Sequence, residues 1–315
     1  MKIMYPEKHG TPTVTSEDAN YPIANLLDDR RRKVWKAANG VQIAILRVPI
    51  TANAEAIALH KTNAETAICT ITLDSSEQTL NAAAATDEGG GLVGIPLTGH
   101  GYIEGNIILL NDTTNYDGVH TLPSQAAGNA NKIIITATYQ AETFAGTETA
   151  CIVIESTTHT LETATRTYDR FWQEYTAQSA AHTATIKLTA GTGETIEAGV
   201  VRAGVLVDFP DPRYGIGESR KSFTIKRQYP TGGWYIKTLG SIRIFTCTLR
   251  LTRSTEFYNL ADVYEYYLEN PMSILLLEGI DDLQYSVFAQ MLDPFDGKHD
   301  YITKSDMNIT FHEAA

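Results

Sequence analysis

Eight histidines, three cysteines and a scatter of carboxylates are the groups from which this 315-residue chain would have to build catalysis or metal binding. None of the histidines stands in H-E-x-x-H or another metal-ligand spacing. His60 falls inside an apolar run of strand length, where a histidine is more often a satisfied core or edge residue than a ligand. A G-x-S-x-G nucleophile elbow is absent. The carboxylate pairs Asp281 with Asp282 and Asp208 with Asp211 lie in turn-like stretches. A retaining glycosidase sets two carboxyls about 5 Å apart across a cleft, whereas neighbours in a turn read as solvated acids. Asn111, Asp112 and Asp117 could offer oxygens to calcium, but their spacing is not that of an EF-hand. Such Asn/Asp-rich turns recur for backbone reasons alone. The glycines Gly89, Gly90 and Gly91 are not followed by Gly-Lys-Ser/Thr, which excludes a phosphate loop. Cys69, Cys151 and Cys247 are far apart, form no C-x-x-C pair and sit in apolar runs. They read as buried, reduced thiols rather than zinc ligands. The chain is therefore expected not to be an enzyme and to need no cofactor or metal.

Aromatic side chains are the other class that could carry a site. Trp172, Tyr175, Tyr214, Trp234 and Tyr235 could stack on sugars, and the turn-like GGWY stretch, Gly232–Tyr235, would expose both of its rings. Burial in a core or at a subunit interface is the alternative for each of them.

Composition narrows the field further. A hydrophobic fraction of 43% is that of an ordinary globular protein, and the length allows two or three domains. A net charge of −12 argues against tight nucleic-acid binding, which needs a basic surface. No apolar run approaches the roughly 20 residues of a membrane helix, and MKIMYPEKHG has no signal-peptide core.

The elements that must position these groups are mostly strands. Residues 1–15 read as an extended N-terminal arm that could pack on a neighbouring subunit. In Tyr21–Asn63, a polar lead-in ending on Trp35 precedes the apolar runs Val41–Ile50 and Ala56–His60. It reads as a loop tucking Leu26, Leu27 and Trp35 under the edge of a β-sandwich. Ile68–Leu73 alternates with period two, as a half-buried strand does. The texture then turns small, polar and glycine-rich over Ser75–Gly91, and strand texture resumes at Ala150. The division expected is a discontinuous sandwich of residues 16–74 and 150–209, an inserted small β domain of 75–149, and a C-terminal sandwich of 210–315. In the last, Glu256–Glu269 reads as a helix burying Leu260, Tyr264 and Leu268, with Asp262 opposite. The apolar phase of Ser241–Arg253 shifts by one residue, which predicts a β-bulge near Phe245.

The lead-in Asn25, Leu26, Leu27, Asp28, then Trp35, then Ile57, Leu59, His60 and Asn63 resembles the opening of discoidin-type, galactose-binding-like jelly rolls. More narrowly it is similar to the version found in tail proteins of tailed bacteriophages. The C-terminal order of strand, helix, strand, strand is similar to the ring-forming sandwich of tail-tube and distal-tail proteins. The resemblance implies an all-β fold with one main helix: a jelly roll carrying an inserted small β-barrel, plus a second sandwich with a flanking helix. It implies a structural virion protein of the tail tip, baseplate or distal tail, assembled in the host cytoplasm. Its partners would be its own copies in a ring, expected to be a hexamer, and the tail-tube and tip or hub proteins. The alternative is a carbohydrate- or receptor-binding module of the tail, with a host glycan as ligand. Ser241–Ala315 holds twelve acids and five bases, more than half of the net charge. In a ring, Glu278, Asp281 and Asp282 are expected near the channel or ring face, where acids would let DNA pass without sticking. An ordinary solubilising acidic surface is the alternative.

Overall fold

The computed structural model describes the chain except residues 30–32, 124–130, 214, 229–233, 253–254, 269, 279–281, 292–296, 299–303 and 315, and the side chains of 225, 234–240, 282, 297 and 298. The protein is an all-β sandwich with one main helix. The chain opens with β1 (Lys2–Glu7) and β2 (Thr13–Val14), then a 3-10 turn, Ile23–Leu27, and β3 (Trp35–Lys36). Next come β4 (Ile43–Ile50), β5 (Ala56–Thr62) and β6 (Ala64–Leu73). Then follow β7 (Gln78–Thr79), β8 (Thr86–Gly89), β9 (Leu92–Pro96), β10 (Ile107–Asn111), β11 (Gly118–Thr121) and β12 (Lys132–Thr136). The sandwich resumes with β13 (Thr149–Thr160), β14 (Arg170–Glu174), β15 (His182–Ala190) and β16 (Glu197–Asp208). The last third holds β17 (Ile216–Gln228), β18 (Trp234–Thr252), α1 (Glu256–Tyr267), β19 (Met272–Leu275) and the short α2 (Asp282–Tyr285). It ends with β20 (Ser286–Met291), β21 (Gly297–Lys298) and β22 (Lys304–Glu313).

Among the described residues these strands form three antiparallel sheets. The largest runs β14-β5-β16-β1-β19-β20-β22-β18-β17, and the second β11-β10-β13-β6-β15-β4-β2. The main core lies between them. Ile57, Leu59, Phe171 and Val201 from the first sheet meet Leu46, Val48, Cys69, Ile71, Ile186 and Leu188 from the second. The alternation of β4, with Ala44, Leu46, Val48 and Ile50 buried, puts every second side chain in this core. Leu26 and Trp35 join it with no exposed surface, and Asn25 Nδ2 donates to Val34 O at 2.8 Å, pinning the loop. β5 is buried on both faces because the first sheet curls. On the far side His60 Nε2 lies 3.0 Å from Ser273 Oγ of β19, and its ring stacks on Phe288 of β20. His60 is thus a core histidine, held through Nε2 and its ring stack.

Residues 80–150 form a core of their own, with Val93, Ile95, Ile108, Leu110, Ile133 and Ile135 inside. The expected small barrel takes the form of a three-stranded sheet, β12-β9-β8, facing the β10–β11 hairpin. That hairpin joins the second sheet through β13, so the insert is stitched to the sandwich by strand pairing. Gly89, Gly90 and Gly91 all take positive φ in the turn from β8 to β9, a conformation only glycine adopts without strain.

Several expectations are corrected. Residues 1–15 are not an arm. β1 sits in the middle of the first sheet, paired with β16 on one side and β19 on the other, with Ile3 and Met4 fully buried. The sheet therefore passes without a break across the boundary expected at 209/210. There is no bulge at Phe245, and the irregularity of β18 lies opposite Phe223 and Thr224 instead. Ile242 and Ile244 are half-buried on the face opposite Phe245 and Cys247, which accounts for the phase change without an inserted residue. α1 ends at Tyr267, and Leu268 turns out at φ 46° and is 58% exposed. The buried positions are Leu260, Val263 and Tyr267, with Tyr264 half-buried. All three cysteines are free and buried, and burial pushes their thiol pKa values up, those of Cys151 and Cys247 to about 11. Cys69 pairs across from Thr157, so Cys151 lies well along β13 from it.

Candidate functional site

The feature that stands apart from the rest of the fold is the β17–β18 hairpin. The two strands pair from Ile216 opposite Cys247 out to Gln228 opposite Trp234. β22 supports β18 only from Ile244 to Thr252. Beyond that base, among the described residues, the ladder is two-stranded, and such ribbons are marginal without further packing. β17 is the last strand of its sheet, and its run Gly217–Ser222 is largely exposed, as is Phe223 at 42%. Between Ile216 and Thr252 lie seven Lys or Arg residues and one acid, Glu218. This net of +6 stands on a chain whose total is −12. A long bare edge is a template for strand addition, and cations along it discourage indiscriminate pairing while admitting an acidic partner. Seven cations in 37 residues is a signal the sequence carries, and strand-by-strand reading passes over it.

The residues singled out from the sequence fall in different places. Trp172 is buried, not available to stack on a sugar. It packs with Met4, Ala58 and Leu275, and its Nε1 donates to Glu174 Oε1 at 3.1 Å. The other oxygen of Glu174 accepts from Lys2 Nζ at 2.6 Å, and the same ammonium reaches Glu278 at 2.9 Å. The structure thus brings Trp172 and Glu278 onto one ion-pair chain. Burial alone would lower the pKa of Lys2, but its two carboxylate partners outweigh that and raise it. Glu278 is exposed but tied to β1 of its own chain. Asp282 opens α2, while Asp281 and Tyr214 lie outside the described residues. Trp234 and Tyr235 are on β18, opposite Gln228 and Arg227, at the far end of the hairpin.

A second concave surface lies where the insert leans over the outer face of the sandwich. It is a cleft of about 300 Å³. Ile45, Ile68 and Leu109 form its apolar part, and Asn111, Asp117 and Lys187 give it polar edges. Burial raises the Asp117 pKa above its ordinary value, against a backbone hydrogen bond from Asp112 that lowers it. Asp112 itself pairs with Arg47 at 3.2 Å. Among the described residues no group of three or more His, Cys, Asp or Glu side chains could hold a metal ion. Nor is any described helix long and apolar enough to cross a membrane.

No family model matches the chain, and comparison with curated proteins gives no match. Among solved structures, the comparison returns an X-ray crystal structure of reduced XRCC1 bound to the DNA pol beta catalytic domain, at 11% identity. The alignment covers 63% of this chain and 97% of that one, at a TM-score of 0.26. A superposition that loose carries no argument about either fold or function.

Proposed function

We propose that the chain is a structural subunit of a bacteriophage tail, placed at the tail tip, baseplate or distal tail ring. In this proposal it assembles as a homo-oligomeric ring, a hexamer on the strength of the resemblance, and joins the tail tube to the tip proteins. The observation that supports this most is the basic hairpin. A 13-residue edge strand bearing four cations asks for an acidic surface, and a second copy of a chain with 37 acids supplies one. Such a contact joins unlike surfaces, and repeated around an axis it closes into a ring. The test is the mass of the purified chain in solution, alone and with tail-tube protein, alongside a Lys221→Glu/Lys226→Glu/Arg227→Glu variant. A ring that the triple variant loses is the expected result. A chain that stays monomeric in both settings, or particle imaging that places it off the virion tail, overturns the proposal.

The alternative, a carbohydrate- or receptor-binding module of the tail, is supported by the cleft between insert and sandwich rather than by the aromatics. Its check is a glycan array read with Lys187→Ala as control, and a blank array removes it.

A further inference from the structure

The curl of the first sheet brings its two end strands, β14 and β17, to the walls of one open hollow of about 340 Å³. Four guanidinium groups line it: Arg166, Arg170, Arg220 and Arg243. Two of them are committed to structure. Arg170 donates to Asp169 at 2.7 Å, to the Ser286 carbonyl at 3.2 Å and to Glu313 at 2.9 Å. Arg243 donates through Nε and Nη2 to Glu313 at 2.9 and 2.7 Å.

Arg220 differs from these. Arg220 stands directly opposite Arg243 on the ladder, is exposed, and makes no hydrogen bond or ion pair with any described residue. Like charges directly opposed across an antiparallel pair are destabilising, so an anion between the walls would relieve a cost built into the sheet. Arg166 lies in the turn joining β13 to β14, where its backbone N–H donates to Thr163 Oγ1 at 3.0 Å. Its Nη1 donates to the amide oxygen of Gln284 at 3.0 Å, which fixes the fork at the rim. Beside the cations the wall also carries two carboxylates, Asp169 and Glu218, together with Thr167, Tyr168 and Gln284.

From this geometry we infer a binding site for a small hydroxylated oxyanion. A phosphate or carboxylate group would be held by the forks of Arg166 and Arg220, with neighbouring hydroxyls donating to Asp169 or Glu218. Guanidinium forks match both oxyanions in a bidentate way, and the volume suits a single sugar unit rather than a polymer or a protein segment. Every group in the site belongs to one chain.

Thermal shift and calorimetric titration with glucose 6-phosphate, glucuronate, glucose and sodium chloride at matched ionic strength test the inference on the full chain. Either or both charged sugars should stabilise the protein beyond the chloride control, and which one acts names the source of the oxyanion. Glucose should not. Arg220→Ala should weaken binding about tenfold, the worth of one charge-assisted hydrogen bond, and should not lower the unliganded melt, because the side chain is exposed and its loss removes a like-charge pair. Arg220→Lys should fall between the two. Shifts equal to those in chloride, or binding that survives in both Arg220→Ala and Arg166→Ala, overturn the site.

Discussion

Replacing Glu313 with alanine should be among the most damaging single changes in this fold. The side chain closes β22 and is 8% exposed. Its Oε1 accepts from Arg170 at 2.9 Å and from Arg243 at 2.7 Å, and its Oε2 accepts from Arg243 at 2.9 Å. One carboxylate therefore ties β14, the first strand of the large sheet, to β18 and β22 near its other end. Arg243 is half-buried, and burial opposes its charge, but Glu313 outweighs this and raises its pKa. Without Glu313, Arg170 keeps Asp169, whereas Arg243 loses both of its recorded bonds. Removing one partner from a buried pair costs about 3–5 kcal/mol. Because Arg170 retains a carboxylate, the lower figure applies, and about 3 kcal/mol lowers Tm by roughly 4–5 °C at about 2.1 cal/mol/K of unfolding entropy per residue. Differential scanning calorimetry on wild type, Glu313→Ala, Arg243→Ala and the double variant measures both the cost and the coupling. The double variant should be less damaging than the sum of the singles by about 1 kcal/mol or more. A Glu313→Ala protein melting within a degree of wild type, or strict additivity, would refute the idea that this triad holds the curl closed.

Acid should loosen the protein through two groups. Burial would raise the Glu7 pKa, but the hydrogen bond with His9 and the charge of Arg202, 3.1 Å away, hold it below the ordinary value. Burial also pushes the His159 pKa down. A group whose folded pKa is depressed takes up its proton more readily in the unfolded chain. Its stabilisation is complete above the unfolded pKa and is lost as pH falls through the folded one. Tm should therefore drop first below the usual histidine range and again below the usual glutamate range, and His159→Gln and Glu7→Gln should flatten the first and second steps, respectively. On α1, Leu260→Ala should cost about 2–5 kcal/mol as a fully buried leucine. Leu268→Ala, at an exposed position, should shift chemical denaturation by less than about 0.5 kcal/mol; equal effects would mean the helix packs on a different face.

How much of this was readable in the chain follows from the range of the forces involved. Local pattern located β4, where apolar residues alternate, and the Leu26–Trp35 loop, whose large side chains have nowhere to go but a core. It misjudged KIMYPE because a short run with a lysine, a proline and a glutamate looks like a terminus. The burial of Ile3 and Met4 depends on partners some 200 residues away or more. Leu268 continued the helical period in sequence, but the backbone reverses there and carries it into solvent. The arginine hollow had no local signature at all. Arg166 and Arg243 are 77 positions apart, and only the closing of the sheet makes them neighbours.

The position of β1 also sets an order of events. β1 is made well before its two partners, at Gly204–Asp208 and at Ile274 and Leu275. At about 5–20 residues per second, the second partner follows the first strand off the ribosome by roughly 15–55 s. During that interval the jelly-roll strands β4 to β16 can pair among themselves, while Ile3 and Met4 stay uncovered. The two halves of the molecule then become one sheet in a late step that slots β1 between them. Contacts this distant in sequence make for slow folding.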